Sequence, residues 1–424
     1  MNVWLVKLEE QLPLDESYRP YRMGLLEDAL VKRGHQVTRW CSDLNHHTGE
    51  YRFGKDTSVD FASNQRFEIL NSGFRYIKPV SPLRLLDNYY LAFKFKRRAL
   101  KSKLKPDLIV CAMPTPELAR ATADIAMHFK IPYIIDARDY WPEIFDNELS
   151  GLKRLLASPV IYSMRKNLHY ACTNASSLVG ITEFYRDHLI SYSGRSLSAN
   201  DGVFYLGFDA SLNQLSESEI VDAKNYWKSV LNLDLDTEPK KIIYFAGRFN
   251  RTVFNAIEPV LKAAEYFNAN CSDYLFVLCG SGQFGNQIIE KLNGLDNVFL
   301  PGEISSKNLS YLRKKSFVAL QPIENRIDYL NSLSNKFFEN ISSGLPILTS
   351  LKGITQQVIE KEQIGFSYDN VDELIEYLKM LTSNMMIRGE ISKRASDVFV
   401  QSYSSEVVYE KFADHCEMIC KNCS

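Results

Sequence analysis

Residues 332–348 read S-L-S-N-K-F-F-E-N-I-S-S-G-L-P-I-L. Asn335 and Lys336 open a predicted helical turn. Glu339 lies three residues beyond Lys336, so on a helix the two side chains share one face. A helix start offers unpaired backbone N–H groups, and Lys336 adds a full positive charge beside them. That combination holds phosphate. One turn deeper, the Glu339 carboxylate can accept hydrogen bonds from a hydroxyl pair such as a ribose. A cation and a carboxylate one turn apart therefore suit a sugar nucleotide. Taken alone, they equally suit a surface helix with a Lys–Glu pair.

Other predicted strand ends carry the same kinds of residue. Gly247 and Arg248 end a strand over 242–246, with Arg251 three residues on. Glycine lets the backbone pass close to a ligand, and arginine binds phosphate through two parallel hydrogen bonds. Gly280 and Gly282 flank Ser281 after a strand over 274–279. Gly302, Glu303 and Ile304 follow a strand over 298–300. Each of these is an ordinary turn when taken singly. Four successive strand ends carrying glycine or a cation point to an anionic ligand.

The scaffold that would position them is α/β. In the first half, strands over 2–8, 36–41, 107–112, 132–136 and 178–182 alternate with helices over 20–34 and 116–130. The second half repeats the pattern, with strands over 242–246, 274–279, 298–300, 318–322 and 347–350. Strands alternating with helices imply parallel sheets. The Ser-, Gly-, Asn- and Asp-rich stretch 191–212 suits a linker. The expected division is an N-terminal domain 1–205, a C-terminal domain 206–400 and a final helical segment 401–424 that packs back on the first. Two doubly wound domains would face a central cleft, with ligands outside the carboxyl ends of the strands.

A length of 424 residues exceeds one core. The charged fraction is 24% and the hydrophobic fraction 45%, ordinary for a globular chain. A net charge of −1 lacks the basic excess of a nucleic-acid binder. No apolar run reaches the ~20 residues that span a bilayer. The first residues read as a buried strand rather than a signal peptide. The eight cysteines are scattered and read as reduced thiols. Cys416, Cys420 and Cys423 lack the second pair of a zinc site.

The order G-R, G-S-G, P-G-E, then S-N-K-F-F-E-x-x-x-x-G-x-P-I resembles bacterial GT-B glycosyltransferases of the family-4 type. The branch it is most similar to builds O-antigen and capsular polysaccharide and includes the L-fucosamine transferases. In the first half, R-G-H-Q-V-T at 33–38 and D-A-R-D-Y-W-P-E at 136–143 agree. The resemblance implies that Arg248, Arg251 and Lys336 neutralise a donor diphosphate and that Glu339 binds its ribose. Gly302 to Ile304 would meet the base through main-chain groups. It also implies retention of anomeric configuration. Arginines, lysine and helix starts can do the charge work, so no metal or other cofactor is expected. Asp139, after a mid-domain strand, is the candidate to orient or deprotonate the acceptor hydroxyl, and Arg138 to help hold phosphate. The first loop has Arg19-Pro20-Tyr21-Arg22 in place of the usual glycine pair, which offers Arg19 and Arg22 to an acceptor phosphate. A glutamate that touches the transferred sugar in many relatives is Asn331 here, and a lysine usual after the Gly-Arg turn is missing.

Residues 94–105, K-F-K-R-R-A-L-K-S-K-L-K, follow Leu83, Leu85, Leu86, Tyr89, Tyr90, Leu91 and Phe93. Such mixing resembles an interfacial membrane element, with Lys94, Lys96, Arg97 and Arg98 on an anionic surface. Residues 152–166 repeat the mixture. Asp234-Leu235-Asp236 matches a metal-binding D-x-D pattern but lies in a polar connection, and reads as surface. The expected protein is a glycosyltransferase on the cytoplasmic face of the membrane. It would move a hexosyl or N-acetylhexosaminyl group from a UDP-sugar to a polyprenyl-diphosphate-linked glycan. The alternatives are a catalytically silent sugar-nucleotide-binding subunit and a UDP-sugar 2-epimerase.

Overall fold

The segment Leu108–Ala112 is apolar throughout, and all five of its residues are buried. A strand buried on both faces belongs in a parallel sheet with helices on either side. In the computed structural model that is its place. The structure describes every residue except Ser17, His47, residues 77–80, Ser272, Asn293, Cys423 and Ser424.

The chain forms two compact units, Met1–Tyr205 with Val408–Ser424, and Leu206–Val407. The strands of the first are β1 (Asn2–Val6), β2 (Gln36–Ser42), β3 (Leu44–Asn45), β4 (Glu50–Tyr51), β5 (Thr57–Ala62), β6 (Gln65–Leu70), β7 (Leu108–Ala112), β8 (Tyr133–Ala137), β9 (Ser177–Gly180) and β10 (Gly202–Val203). Eight of them form one sheet in the order β10-β9-β8-β7-β1-β2-β6-β5, parallel except where β5 meets β6. Alternation along β1 serves two layers. Trp4 points to Trp40, with ring centroids 5.0 Å apart. Val3 and Leu5 join Leu26 and Leu30 on the opposite face.

That second layer is completed by the C-terminal helix Ser405–Asn422. Its Val408, Tyr409, Phe412, Cys416 and Ile419 recur at helical spacing and lie in the same core as Val3 and Leu5. Arg33 fixes the helix from outside, reaching Glu410 at 2.5 Å and Asp414 at 2.7 Å.

The second unit holds β11 (Lys241–Ala246), β12 (Tyr274–Cys279), β13 (Val298–Gly302), β14 (Val318–Gln321), β15 (Ile347–Thr349) and β16 (Gly365–Ser367). All are parallel, in the order β13-β12-β11-β14-β15-β16. Ile243 and Phe245 pack into one layer, and Ile242, Tyr244 and Ala246 into the other. Each unit is thus a doubly wound α/β domain, as the alternating pattern implied.

The stretch 191–212 is more ordered than its composition suggested. The Asp201 carboxylate organises it, accepting from Arg195 at 2.6 Å and from the backbone N–H groups of Ser198 and Leu178 at 2.9 Å. Beyond it, β10 adds an edge strand. The helix Glu217–Leu231, opened by a capping box of Ser216 and Glu219, was also not anticipated.

Arg22 requires a correction. Its guanidinium is fully buried and clasps both oxygens of Asp136, at 2.7 and 2.8 Å. Its remaining nitrogen donates to the carbonyls of Phe204 and Tyr205 at 2.7 and 3.1 Å. These bonds tie the first helix, β8 and the end of the unit together, so Arg22 is not open to an acceptor phosphate. Removing one member of a buried pair strands the other charge, at about 3–5 kcal/mol. Arg22→Met should lower the unfolding free energy by that amount in urea titration. The double variant Arg22→Met with Asp136→Leu should recover a large part of it.

Candidate functional site

In the second unit β11 pairs with β12 on one side and β14 on the other. The strand order therefore reverses between β11 and β14, which is where doubly wound sheets open a crevice. A cavity of about 230 Å³ lies there, lined by Gly247 and Arg248 after β11, Gln321 and Ile323 at the end of β14, and Lys336 and Asn340.

The turns that frame it are laced together by backbone. Gly247 N–H donates to Cys279 at 3.0 Å, Phe249 N–H to Ser281 at 2.9 Å, and Gly280 N–H to Gly302 at 2.7 Å. This closeness explains two glycines. A Cβ on Gly280 would stand 1.9 Å from the Gly247 carbonyl oxygen, and one on Gly282 would stand 2.6 Å from that of Phe249. The sequence suggested that these glycines make room for a ligand. The backbone they admit is that of the neighbouring turn. Gly302 has a φ of +79° and open space around it, so there the conformation selects glycine. Ile304 points its side chain into the core, leaving only its main chain to meet a ligand.

Arg248 and Arg251 are exposed, and among the described residues neither guanidinium forms an ion pair. Lys336 lies on the first turn of the helix Asn335–Ser342, capped by Ser334, whose side chain accepts from Phe337 N–H. Asn335 is exposed beside it. Arg248, Lys336 and the helix start line one cavity, and their chemistry suits an anion.

Glu339 differs from expectation. An open carboxylate facing a cleft was anticipated, yet its side chain is only 3% exposed. Its Oε2 accepts from Lys336 Nζ and from Arg313 Nη2, each at 2.9 Å. Arg313 is equally buried and donates its other terminal nitrogen to Asn213 Oδ1 at 2.8 Å. Sequence reasoning missed Arg313. It stands in the run Arg313-Lys314-Lys315, which reads as a cationic helix C-terminus. Only the packing of Ser306–Lys315 against the sheet turns the first of the three inward.

The first unit gathers a second set. Arg138 and Asp139 follow β8. Arg138 pairs with Glu10 at 3.2 Å, and Asp139 is exposed. Lys7, read at first as a strand residue, follows β1 and is buried, donating to the Met113 carbonyl at 3.0 Å. Burial and the nearby Arg138 charge lower its pKa to about 8. Arg19 is half-buried, with its guanidinium over the Tyr21 ring.

The basic helix Pro82–Ala99 carries three of its cations in ion pairs. Lys94 pairs with Asp56 at 2.6 Å, Lys96 with Asp124 at 2.6 Å, and Arg98 with Glu68 at 2.7 Å. The carboxylates belong to the same unit, and the Lys96 side chain is still 42% exposed. Arg97 is exposed. Asp236 of the D-x-D pattern binds Lys224, Lys315 and Tyr311, and Asp234 binds Lys224, so both carboxylates are already neutralised. Among the described residues no group of three His, Cys, Asp or Glu could hold a metal ion.

Residues 234–398 match the family described as Glycosyl transferases group 1. A sucrose-phosphate synthase from Thermosynechococcus elongatus superposes with a TM-score of 0.70 at 14% identity, over 99% of both chains. Anabaena Alr3699/HepE in complex with UDP gives 0.63 at 14%, over 98% of this chain and 99% of that one. WaaG, a glycosyltransferase involved in lipopolysaccharide biosynthesis, gives 0.63 at 14% over the same shares. The chain has the GT-B fold. No curated protein sequence matches it. The matched segment begins just before β11 and contains the whole of the β11–β14 cavity.

Glu339→Ala would leave Arg313 buried and without its charged partner, so the fold would not survive it untouched. We expect Arg313→Met to destabilise the protein by about 3–5 kcal/mol. Asn213→Ala, which removes one neutral partner of that charge, should cost about 1.5–3 kcal/mol in the same unfolding assay.

Lys7 supplies a pH dependence. Folded Lys7 releases its proton near pH 8, against an ordinary value of 10.5. Between those values the unfolded chain binds more protons, so stability should rise with pH across that window. Below it the buried charge is a constant cost. Lys7→Met should abolish the rise and leave the protein more stable below pH 8, as urea titrations at stepped pH would reveal.

Proposed function

We propose that the protein is a nucleotide-sugar glycosyltransferase whose donor site is the β11–β14 cavity. The observation that carries this reading is the unengaged Arg248, which lines one cavity with Ser334 and Lys336 at the capped start of the Asn335–Ser342 helix, with the exposed Arg251 three residues on. Cations held apart from intramolecular partners complement a diphosphate, whose negative charge grows as the glycosidic bond breaks. Cations that meet that charge as it grows stabilise the transition state. Glu339, held by Arg313, would accept from the ribose, and main-chain groups of Gly302 to Ile304 would meet the base. One related fold, Anabaena Alr3699/HepE, has been solved both with UDP and with UDP-glucose, which supports uridine as the base. The cations make a metal unnecessary for charge neutralisation. Retention of configuration belongs to the same reading.

The acceptor side would lie at the carboxyl ends of β1 and β8, with Asp139 orienting or deprotonating the attacking hydroxyl and Arg138 near phosphate. A polyprenyl-diphosphate-linked glycan is supported by an apolar groove of about 580 Å³ in the first unit. Leu85 lines it from the Pro82–Ala99 helix, and Leu156, Val160 and Ile161 from the helix Gly151–Thr173. Beside it Leu152, Leu155 and Leu156 are 69%, 68% and 71% exposed. The first turn of one basic-apolar stretch and the helix of the other thus border one groove, whose exposed leucines suit a membrane. On this reading the protein would sit peripherally on the cytoplasmic face of the membrane.

A silent nucleotide-binding subunit is the second reading, motivated by Asn331. Its amide donates to the Ile327 carbonyl at 2.7 Å.

Arg248→Ala removes an exposed side chain, so the fold should be unaffected. Turnover should fall by about 10²–10³ with a smaller change in acceptor KM. EDTA should leave the rate unchanged. Asp139→Asn should abolish transfer while sparing UDP affinity in calorimetry. A wild-type chain that binds UDP-sugars yet neither hydrolyses nor transfers them would establish the silent reading instead.

A further inference from the structure

Two neutral amides line the β11–β14 cavity alongside its cations. Gln321 is the last residue of β14, and Asn340 follows Glu339 on the helix Asn335–Ser342. Both are nearly completely buried. Gln321 Nε2 and Asn340 Oδ1 have no hydrogen-bond partner among the described residues. Buried polar atoms are nearly always paired, so two orphans on residues that line one small cavity call for an explanation. Backbone does not supply it. The Gln321 main-chain oxygen already accepts from Thr349 and Ser350, and that of Asn340 from Ser343 and Leu345.

The chemistry of the two side chains restricts what could pair with them. An amide carries both a donor and an acceptor. Phosphate oxygens and carboxylates only accept, and would meet the amide oxygens unfavourably. Hydroxyl and acetamido groups both donate and accept. Arg248 and Lys336, the charged residues of the same lining, are the complement of the diphosphate. The neutral pair therefore matches the other half of a sugar nucleotide.

We infer that Gln321 and Asn340 read the transferred sugar, and that this sugar is neutral, a hexose or N-acetylhexosamine rather than a uronate. The inference rests on the donor site proposed above. It also explains why the chain keeps two unpaired amides in a core position. Apolar residues of the same shape would be at least as stable there, because an unmade buried hydrogen bond is a cost to the fold. A stability cost borne at a site is the usual mark of a binding role.

The test measures calorimetric affinities for UDP, UDP-glucose, UDP-N-acetylglucosamine and UDP-glucuronate. At least one neutral UDP-sugar should bind about tenfold more tightly than UDP, the effect of one good set of hydrogen bonds. UDP-glucuronate should bind no more tightly than UDP. In Gln321→Met and Asn340→Leu the difference between the neutral sugar and UDP should vanish. A merely structural role would move both affinities together. The melting temperature of Asn340→Leu should be unchanged or raised, since an orphan polar group is removed. If UDP binds but the variants keep the full sugar preference, or if UDP-glucuronate is preferred, the inference is overturned and the donor site stands. If UDP itself does not bind, the donor site fails and takes the inference with it.

Discussion

Parallel strands deliver all their carboxyl ends to one edge of a sheet, and their connections must leave that edge for one face or the other. Where the direction of departure reverses, the turns part and a crevice opens. In the second unit this reversal lies between β11 and β14. The rest of the site follows from it. The turn after β11 brings Gly247 and Arg248 to one wall, and the end of β14 brings Gln321 to the other. The helix Asn335–Ser342 begins beside the same cavity, so its first turn and Lys336 are there without any further device.

Within that frame the charged residues divide into two kinds. Arg22 with Asp136, and Arg313 with Glu339, are buried pairs whose geometry is fixed by several hydrogen bonds. A buried charge must be paired, because unpaired burial costs several kcal/mol. Such residues hold elements together and cannot also be free to meet a substrate. Arg248 and Arg251 stay exposed and unengaged, at little cost, because water solvates them until a ligand arrives. Glu339 belongs to both kinds. Arg313 fixes its carboxylate from within the core, while Lys336, partly exposed, approaches it from the cavity side. Its rigidity is therefore a product of the core.

The parts of this arrangement legible in the sequence are those encoded by local pattern. Strand runs such as 242–246 and 274–279 matched the observed elements within a residue, because both faces of each strand are buried and the apolar run is unbroken. Gly247, Arg248 and Lys336 were found because strand ends and helix starts are themselves marked by glycine, cations and caps. What escaped notice was set by distant contacts. Nothing local separates Arg313 from Lys314, or Arg22 from Arg19. Their burial depends on Glu339 and Asp136, which lie 26 and 114 residues away. Lys7 escaped for a related reason: it continues the strand pattern, and only the neighbouring β7 turn, with the Met113 carbonyl, reveals where its amine ends.

The same distinction governs the basic helix of the first unit. Its composition, cations mixed with aromatic and aliphatic residues, does not tell whether the cations or the apolar groups face outward. Asp56, Glu68 and Asp124 pair with Lys94, Arg98 and Lys96. Leu86, Tyr89 and Phe93 are exposed on the same helix, together with Arg97. The exposed face therefore offers apolar groups and Arg97 together, so any attachment it makes draws on apolar contact, which salt strengthens or leaves alone, as well as on charge, which salt screens.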